Sequence, residues 1–164
     1  MTTRRKQLNI FTLILLSALA ASGAEKYSGP RPPKPDVPYL LHADNLLPTE
    51  VVDAKEETGK KDETTYAIAG TASSARTPLA EPIFLLLSDK VIADKLELFK
   101  FDVKNGRREL VMSRGKRKGA KALHLSVEKL DGKLYKVEAS EPLDNGQYSL
   151  SPSGSNQVFC FEIY

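Results

Sequence analysis

The sequence predicts an all-β protein, an antiparallel sandwich of about eight or nine short strands. Three observations carry that expectation. Short apolar runs, alternating or continuous, recur from Tyr39 to the end of the chain. Turn formers separate them at near-regular spacing, among them Asn105-Gly106, Asp131-Gly132 and the stretch Pro152, Ser153, Gly154, Ser155, Asn156. Across residues 39–164 no segment sustains the 3.6-residue apolar period of a long amphipathic helix.

The first residues read as an address. Arg4, Arg5 and Lys6 precede an apolar run over 10–20, and Ser22-Gly23-Ala24 follows as a small-residue cleavage site. That order is the signature of a secretory signal peptide over 1–24. The apolar run spans about 11 residues, against roughly 20 for a membrane-spanning helix. The expectation is therefore an exported protein, periplasmic or extracellular, that does not span the membrane once cleaved.

Cleavage also changes the charge. The whole chain has 24 Lys and Arg against 21 Asp and Glu, and losing Arg4, Arg5 and Lys6 leaves 21 against 21. The basic balance of the precursor thus belongs to its leader and is no argument for a nucleic-acid partner. About 140 residues remain, enough for one domain with a core that needs no staples. Cys160 is the only cysteine, so no intrachain disulfide can form, and its place between Phe159 and Phe161 suits a small core residue.

Residues 25–38 hold five of the ten prolines and read as an extended tail or spacer. The single domain is expected over 39–164. Residues 39–41 suggest a first short strand, and Asp44-Asn45 and Pro48 suggest an interruption. Residues 51–55 are a weak strand candidate, and the polar run 56–63 reads as an exposed turn around Gly59. Residues 64–70 alternate Thr64, Tyr66 and Ile68 with small residues, and 71–80 read as a loop. The continuous apolar run 82–88 reads as a buried strand, and 91–95 as a single helical turn or a bend.

Two hairpins follow. Asn105-Gly106 suits a two-residue turn, pairing Lys104 with Arg107, Val103 with Arg108 and Phe101 with Leu110. This register brings Phe99, Phe101, Leu110 and Met112 onto one face and sets Asp102 opposite Glu109, a cost that neighbouring cations must relieve. For the second hairpin, apolar matching selects a three-residue turn, Leu130-Asp131-Gly132. It pairs Val127 with Tyr135, Leu125 with Val137 and Leu123 with Ala139, with Gly132 left-handed. The last stretch, 141–164, is expected to form a C-terminal hairpin at the heart of the fold. In its final strand Phe159, Phe161 and Ile163 face one way and Val158 and Cys160 the other, and a strand apolar on both faces sits centrally. Charges on both faces of most strands argue against a transmembrane barrel.

Within that stretch, Leu143-Asp144-Asn145-Gly146-Gln147-Tyr148 resembles the L-x-x-G-x-Y tyrosine corner of immunoglobulin-like and fibronectin-III-like sandwiches. The resemblance implies an immunoglobulin-like sandwich in which Tyr148 bonds back to upstream backbone, with Leu143 as its apolar partner and Gly146 at the turn. It covers about 25 residues. The tryptophan and cysteine pair of true immunoglobulin domains are absent, and the fold by itself assigns no function.

The strongest local charge is cationic. Residues 100–121 contain Lys100, Lys104, Arg107, Arg108, Arg114, Lys116, Arg117, Lys118 and Lys121 against Asp102 and Glu109. Arg114, Lys116, Arg117, Lys118 and Lys121 form a cationic tip between the hairpins, suited to an anionic surface, an anionic glycan or an acidic protein partner. No aromatic residue interleaves it, which disfavours nucleic acid. His42 and His124 are the only histidines, and no ligand spacing marks a metal site. No nucleophile motif, phosphate loop or cofactor signature is present. The sequence therefore points to an exported, noncatalytic β-sandwich module acting by surface interaction through 114–121, with no cofactor. The alternative is a carrier or binder of a small ligand or anionic glycan, which a deep apolar pocket would favour.

Overall fold

In the computed structural model, which describes residues 27–59, 63–113 and 119–164, apolar alternation and turn chemistry generate thirteen strands. They are β1 (Pro38–His42), β2 (Asn45–Pro48), β3 (Glu50–Asp53), β4 (Lys55–Thr58), β5 (Glu63–Ala69), β6 (Arg76–Thr77) and β7 (Ile83–Leu87), followed by β8 (Leu96–Lys104), β9 (Arg107–Ser113), β10 (Leu125–Asp131), β11 (Leu134–Ala139), β12 (Gly146–Pro152) and β13 (Gln157–Ile163). The only helix among the described residues is one 3₁₀ turn, Ala93–Lys95. The number exceeds the eight or nine expected because β2, β4 and β6 lie in polar or Pro-containing sequence. Their pairing is supplied by neighbours rather than by their own pattern. Pro48 is tolerated because β2 is an edge strand, where a missing N–H leaves no ladder bond unmade.

The strands form two antiparallel sheets. One has the order β10-β11-β7-β1-β2 and the other β3-β13-β12-β8-β9-β5-β4, with β6 running parallel beside the end of β13. Between them lies the main core, which joins Leu40, Phe84, Leu86 and Val137 of the first sheet to Leu98, Tyr148, Leu150, Phe159, Phe161 and Ile163 of the second. Phe161 is its centre. Its ring meets Phe84 across the sheets edge-on at 4.9 Å and stacks on Tyr148 at 5.5 Å. As expected, β13 is central and buried on both faces, with β12 on one side and β3 on the other.

The second sheet also closes on itself. β3 and β4 stand at opposite ends of its strand order, yet only Ala54 separates them in the chain. Two bonds of 3.8 Å hold the Cα atoms of Asp53 and Lys55 within about 7 Å, so the two ends of the sheet must meet. Residues 50–58 are one bent stave, paired to β13 by its first half and to β5 by its second. With β13, β12, β8, β9 and β5 it completes a six-staved barrel. The barrel encloses a second core of Ala54, Ile68, Phe99, Phe101, Leu110, Val158 and Cys160. Strands β8, β12 and β13 thus give one face to the barrel lumen and the other to the core between the sheets.

The first hairpin has the expected register, Lys104 with Arg107, Val103 with Arg108 and Asp102 with Glu109. Both turn residues have positive φ, Asn105 at 53° and Gly106 at 74°, as a tight hairpin turn requires. The like-charge pair is relieved from both sides. Lys104 lies 2.8 Å from Asp102, and Arg107 lies 2.5 Å from Glu109. Beyond Asp102 the two strands part, so the expected pairing of Phe101 with Leu110 does not form, and the segment after residue 118 fits between them. The Ala120 amide donates to Val111 on β9, and the Leu123 amide donates to Leu98 on β8.

The second hairpin corrects the expected three-residue turn at 130–132. Leu125 pairs with Ala139, Val127 with Val137 and Lys129 with Tyr135, and the turn is Gly132-Lys133 between Asp131 and Leu134. A bulge between Lys129 and Asp131 absorbs the extra residue. The slip is two residues, so each side chain keeps its expected face. Strand β11 is also held from its other side by β7, where Val137 pairs with Phe84 and the fully buried Leu134 with Leu87. Leu123, freed from Ala139, bridges to Leu98 instead. Two further expectations change. Residues 55–58 form β4 rather than part of a turn, and Asn45–Pro48 pairs with β1 rather than interrupting it. Ahead of β1, Arg31 makes an ion pair with Asp131, and Asp36 Oδ1 accepts the amides of Asp89, Lys90 and Val91 at 2.8, 2.7 and 2.9 Å.

Replacing Phe161 with Ala removes the ring that joins Phe84 to Tyr148 in a site with no solvent exposure. The expected loss is about 3–5 kcal/mol in urea unfolding. A loss below about 1 kcal/mol would contradict the central placement of β13.

Candidate functional site

The inward positions of the barrel follow from strand alternation. On the bent stave these are Glu50, Val52, Ala54 and Glu56. On β5 they are Tyr66 and Ile68, and on β9 they are Arg108, Leu110 and Met112, matched by the pairs Tyr66–Leu110 and Ile68–Arg108. Strand β8 contributes Glu97, Phe99 and Phe101, β12 contributes Gln147, Ser149 and Ser151, and β13 contributes Val158 and Cys160. The two ends of this lumen differ in kind.

One end is sealed by an ion pair. Arg108 is 1% exposed, and its guanidinium donates to both Glu50 oxygens at 2.7 and 3.0 Å, a bidentate fork. Its remaining hydrogens reach the carbonyls of Ala69 and Gly70 at 3.2 and 3.3 Å. Burial pushes the Glu50 carboxyl upward, but hydrogen bonds from Arg108 and Ser73 outweigh it and hold the group below its ordinary range. The Ser73 amide donates to the Gln147 side chain at 2.8 Å and closes this end further. Beside the pair lies Cys160, with no solvent exposure, its thiol pushed up to about 12 by burial. The thiolate is the nucleophile, so Cys160 is inert, the small core residue its sequence context suggested.

The other end is open. A cavity of about 400 Å³ enters the lumen there, walled by Ala54, Tyr66, Phe99, Phe101, Leu110, Met112 and Val158. This size lies in the range of small-molecule sites, and the lining is mixed. Beside the apolar wall stand Glu56 and Glu97 at the mouth, Ser149 and Ser151 on β12, and Ser155 and Asn156 in the β12–β13 turn. The Ser149 and Ser151 hydroxyls lie 3.0 Å apart and bond to each other.

The residues singled out from the sequence fall in three places. Arg114, Lys116, Arg117 and Lys118 lie outside the described residues, and Lys121 is exposed. The segment that carries them leaves β9 at Ser113, one residue beyond the cavity-lining Met112, so its root is at the open end of the barrel. Leu143, Gly146 and Tyr148 lie together before and within β12. The Tyr148 hydroxyl donates to the Asp144 carbonyl at 2.7 Å, the bond expected of a tyrosine corner. Gly146, at φ 155°, takes a conformation that other residues rarely adopt.

The cavity was not foreseen. Its signals were present as the four large apolar residues meeting across β8 and β9 and as the Ser-Leu-Ser alternation of β12. Neither reveals that the sheet closes. His42 Nε2 bonds Thr77 Oγ1 at 2.9 Å. Among the described residues no group of three or more His, Cys, Asp or Glu side chains is placed to hold a metal ion, and no helix is long and apolar enough to cross a membrane. Comparison with protein-family models, with curated proteins and with solved structures finds no match for this chain.

The Glu50–Arg108 seal has a pH signature. Because the folded-state pKa of Glu50 is depressed, its contribution is complete above the unfolded value of about 4.3 and drains away as pH falls. Glu50→Gln leaves Arg108 buried without a counter-charge, with an expected loss of about 3 kcal/mol at pH 7. The gap between wild type and variant should shrink as urea unfolding is repeated below pH 4. A gap independent of pH would contradict the ion pair.

Proposed function

We propose that this protein is an exported, noncatalytic β module that holds a small, largely apolar ligand in the open end of its barrel. The observation that carries this reading is the cavity of about 400 Å³, whose apolar wall of Tyr66, Phe99, Phe101, Leu110, Met112 and Val158 is joined by polar groups at its mouth. A folded protein gains by filling such a space with side chains, and here the lumen narrows to a sealed ion pair at one end while staying open at the other. Export is supported by the leader sequence, Arg4, Arg5 and Lys6 followed by the apolar run and Ser22-Gly23-Ala24.

We further infer an immunoglobulin-like topology around which the barrel is built. In that arrangement strands A, B, E and D form one sheet, and C, F and G the other, extended by C′. Taking β1, β7, β8, β9, β10, β11, β12 and β13 as A, B, C, C′, D, E, F and G reproduces both sheet orders, D-E-B-A and G-F-C-C′. The tyrosine corner then falls on the start of F. Strands β2 to β6 are an insertion between A and B, and its β3–β5 portion converts the second sheet into a barrel.

A second reading, contact with an anionic surface through Arg114, Lys116, Arg117, Lys118 and Lys121, is supported by the density of cations over 114–121 in the sequence. The two readings separate in solution. Titration with the small uncharged fluorophore 1-aminonaphthalene should give saturable, one-to-one brightening. Ser151→Phe, which fills the cavity, should weaken it at least tenfold while retaining the wild-type circular dichroism. Absence of saturable brightening, with salt-sensitive binding to acidic lipid vesicles in its place, would overturn the cavity reading in favour of the surface one.

A further inference from the structure

The groups facing the mouth give the cavity a charge preference. We propose that its ligand is a cationic amphiphile, an apolar chain or ring carrying an ammonium head. This rests on the cavity being a ligand site and specifies what enters it.

Glu97 pairs with Ser151 across β8 and β12, and Glu56 pairs with Tyr66 across β4 and β5, so alternation turns both acids to the lumen side. Both line the cavity at its open end. Among the described residues that line it there is no Lys, Arg or His, and neither acid has an ion-pair partner among the described residues. Arg107 and Lys55 are both engaged by Glu57, on the outer side of the stave.

The serine and asparagine side chains of the wall offer donors as well as acceptors, so the preference comes from the two acids. An ammonium head is drawn to Glu56 and Glu97, whereas a carboxylate or phosphate head would meet them with like charge. Below the mouth, the rings of Tyr66, Phe99 and Phe101 suit an apolar body. Aromatic faces also attract a cation, so a head that slides inward is not penalised as an anion is. At about 30 Å³ per water-sized group, the volume accommodates a ligand of about a dozen heavy atoms.

Three probes of one chain length separate the possibilities. Decylammonium, decanol and decanoate, each below its micelle concentration, are titrated into the protein by calorimetry at low salt. The expected order of affinity is cation, alcohol, anion, with at least tenfold between the ends and a smaller spread at high salt. In the Glu56→Gln/Glu97→Gln protein the cation should lose its advantage while decanol binds as before. Equal affinities, or a preference for decanoate, would overturn the charge preference and leave the cavity reading standing. Loss of decanol binding together with that of the cation in the double variant would also overturn it, by assigning the two acids a structural role. Failure of all three probes to bind the wild type would overturn both readings.

Discussion

Residues 50–58 pair with two different strands, and most of what distinguishes this molecule follows from that. The first half of the stave lies along β13 and the second along β5. The Ala54 amide, at the bend, donates to the Asn156 carbonyl at 2.8 Å. Ala54 is buried and small, which lets the stave turn the corner without filling the lumen it faces. Without this crossing, the lumen side of β8, β9, β12 and β13 would be an open apolar face, with Phe99, Phe101, Leu110 and Val158 exposed to water. Burying four such side chains is worth about 1.5–3 kcal/mol each. The closure therefore rests on the hydrophobic effect, and the bent stave directs it.

The same closure places Glu50 beside Arg108. A guanidinium on β9 would be costly to bury by itself, and a carboxylate arriving on the far edge of the sheet relieves it. The ion pair seals one end of the barrel, and the opposite end keeps its cavity. Strands β8, β12 and β13 serve two cores at once, so packing at Phe161 and packing at Cys160 are joined through a single backbone. A change in either core is felt in the other, since close-packed interiors transmit strain.

Much of the fold was legible in the sequence, and the limits have physical causes. The Asn105-Gly106 turn and the three pairs next to it could be read because turn chemistry pointed to one register, while the parting of the strands beyond Asp102 depends on the later segment around Ala120 and Leu123. The bond from the Tyr148 hydroxyl to the Asp144 carbonyl was legible for a similar reason, since it is local. The second hairpin was displaced by two residues because β11 takes its register from β7 as well, and a bulge between Lys129 and Asp131 reconciles the two neighbours. Strands β2 and β4 were not legible although each pairs with a chain neighbour, β1 and β5: Pro48 argued against a strand in β2, and β4 (Lys55–Thr58) is polar throughout. The cavity was hidden for a non-local reason. Phe99, Phe101, Leu110 and Met112 were correctly grouped, but whether such a face meets another sheet or curls around a lumen depends on β4. Nothing in the sequence links Glu56 to Glu97, and only alternation on paired strands brings them to one mouth.

The closure of the barrel is the claim on which cavity, seal and ligand preference all rest. Its most direct test is the set of cross-strand backbone contacts seen by nuclear Overhauser spectroscopy on the isotope-labelled protein. The account predicts, in one sample, contacts from Val52 to Val158 and from Glu56 to Tyr66, with the Ala54 amide protected from exchange. Contacts on one side of the stave without the other, with a freely exchanging Ala54 amide, would show an open sheet and contradict it.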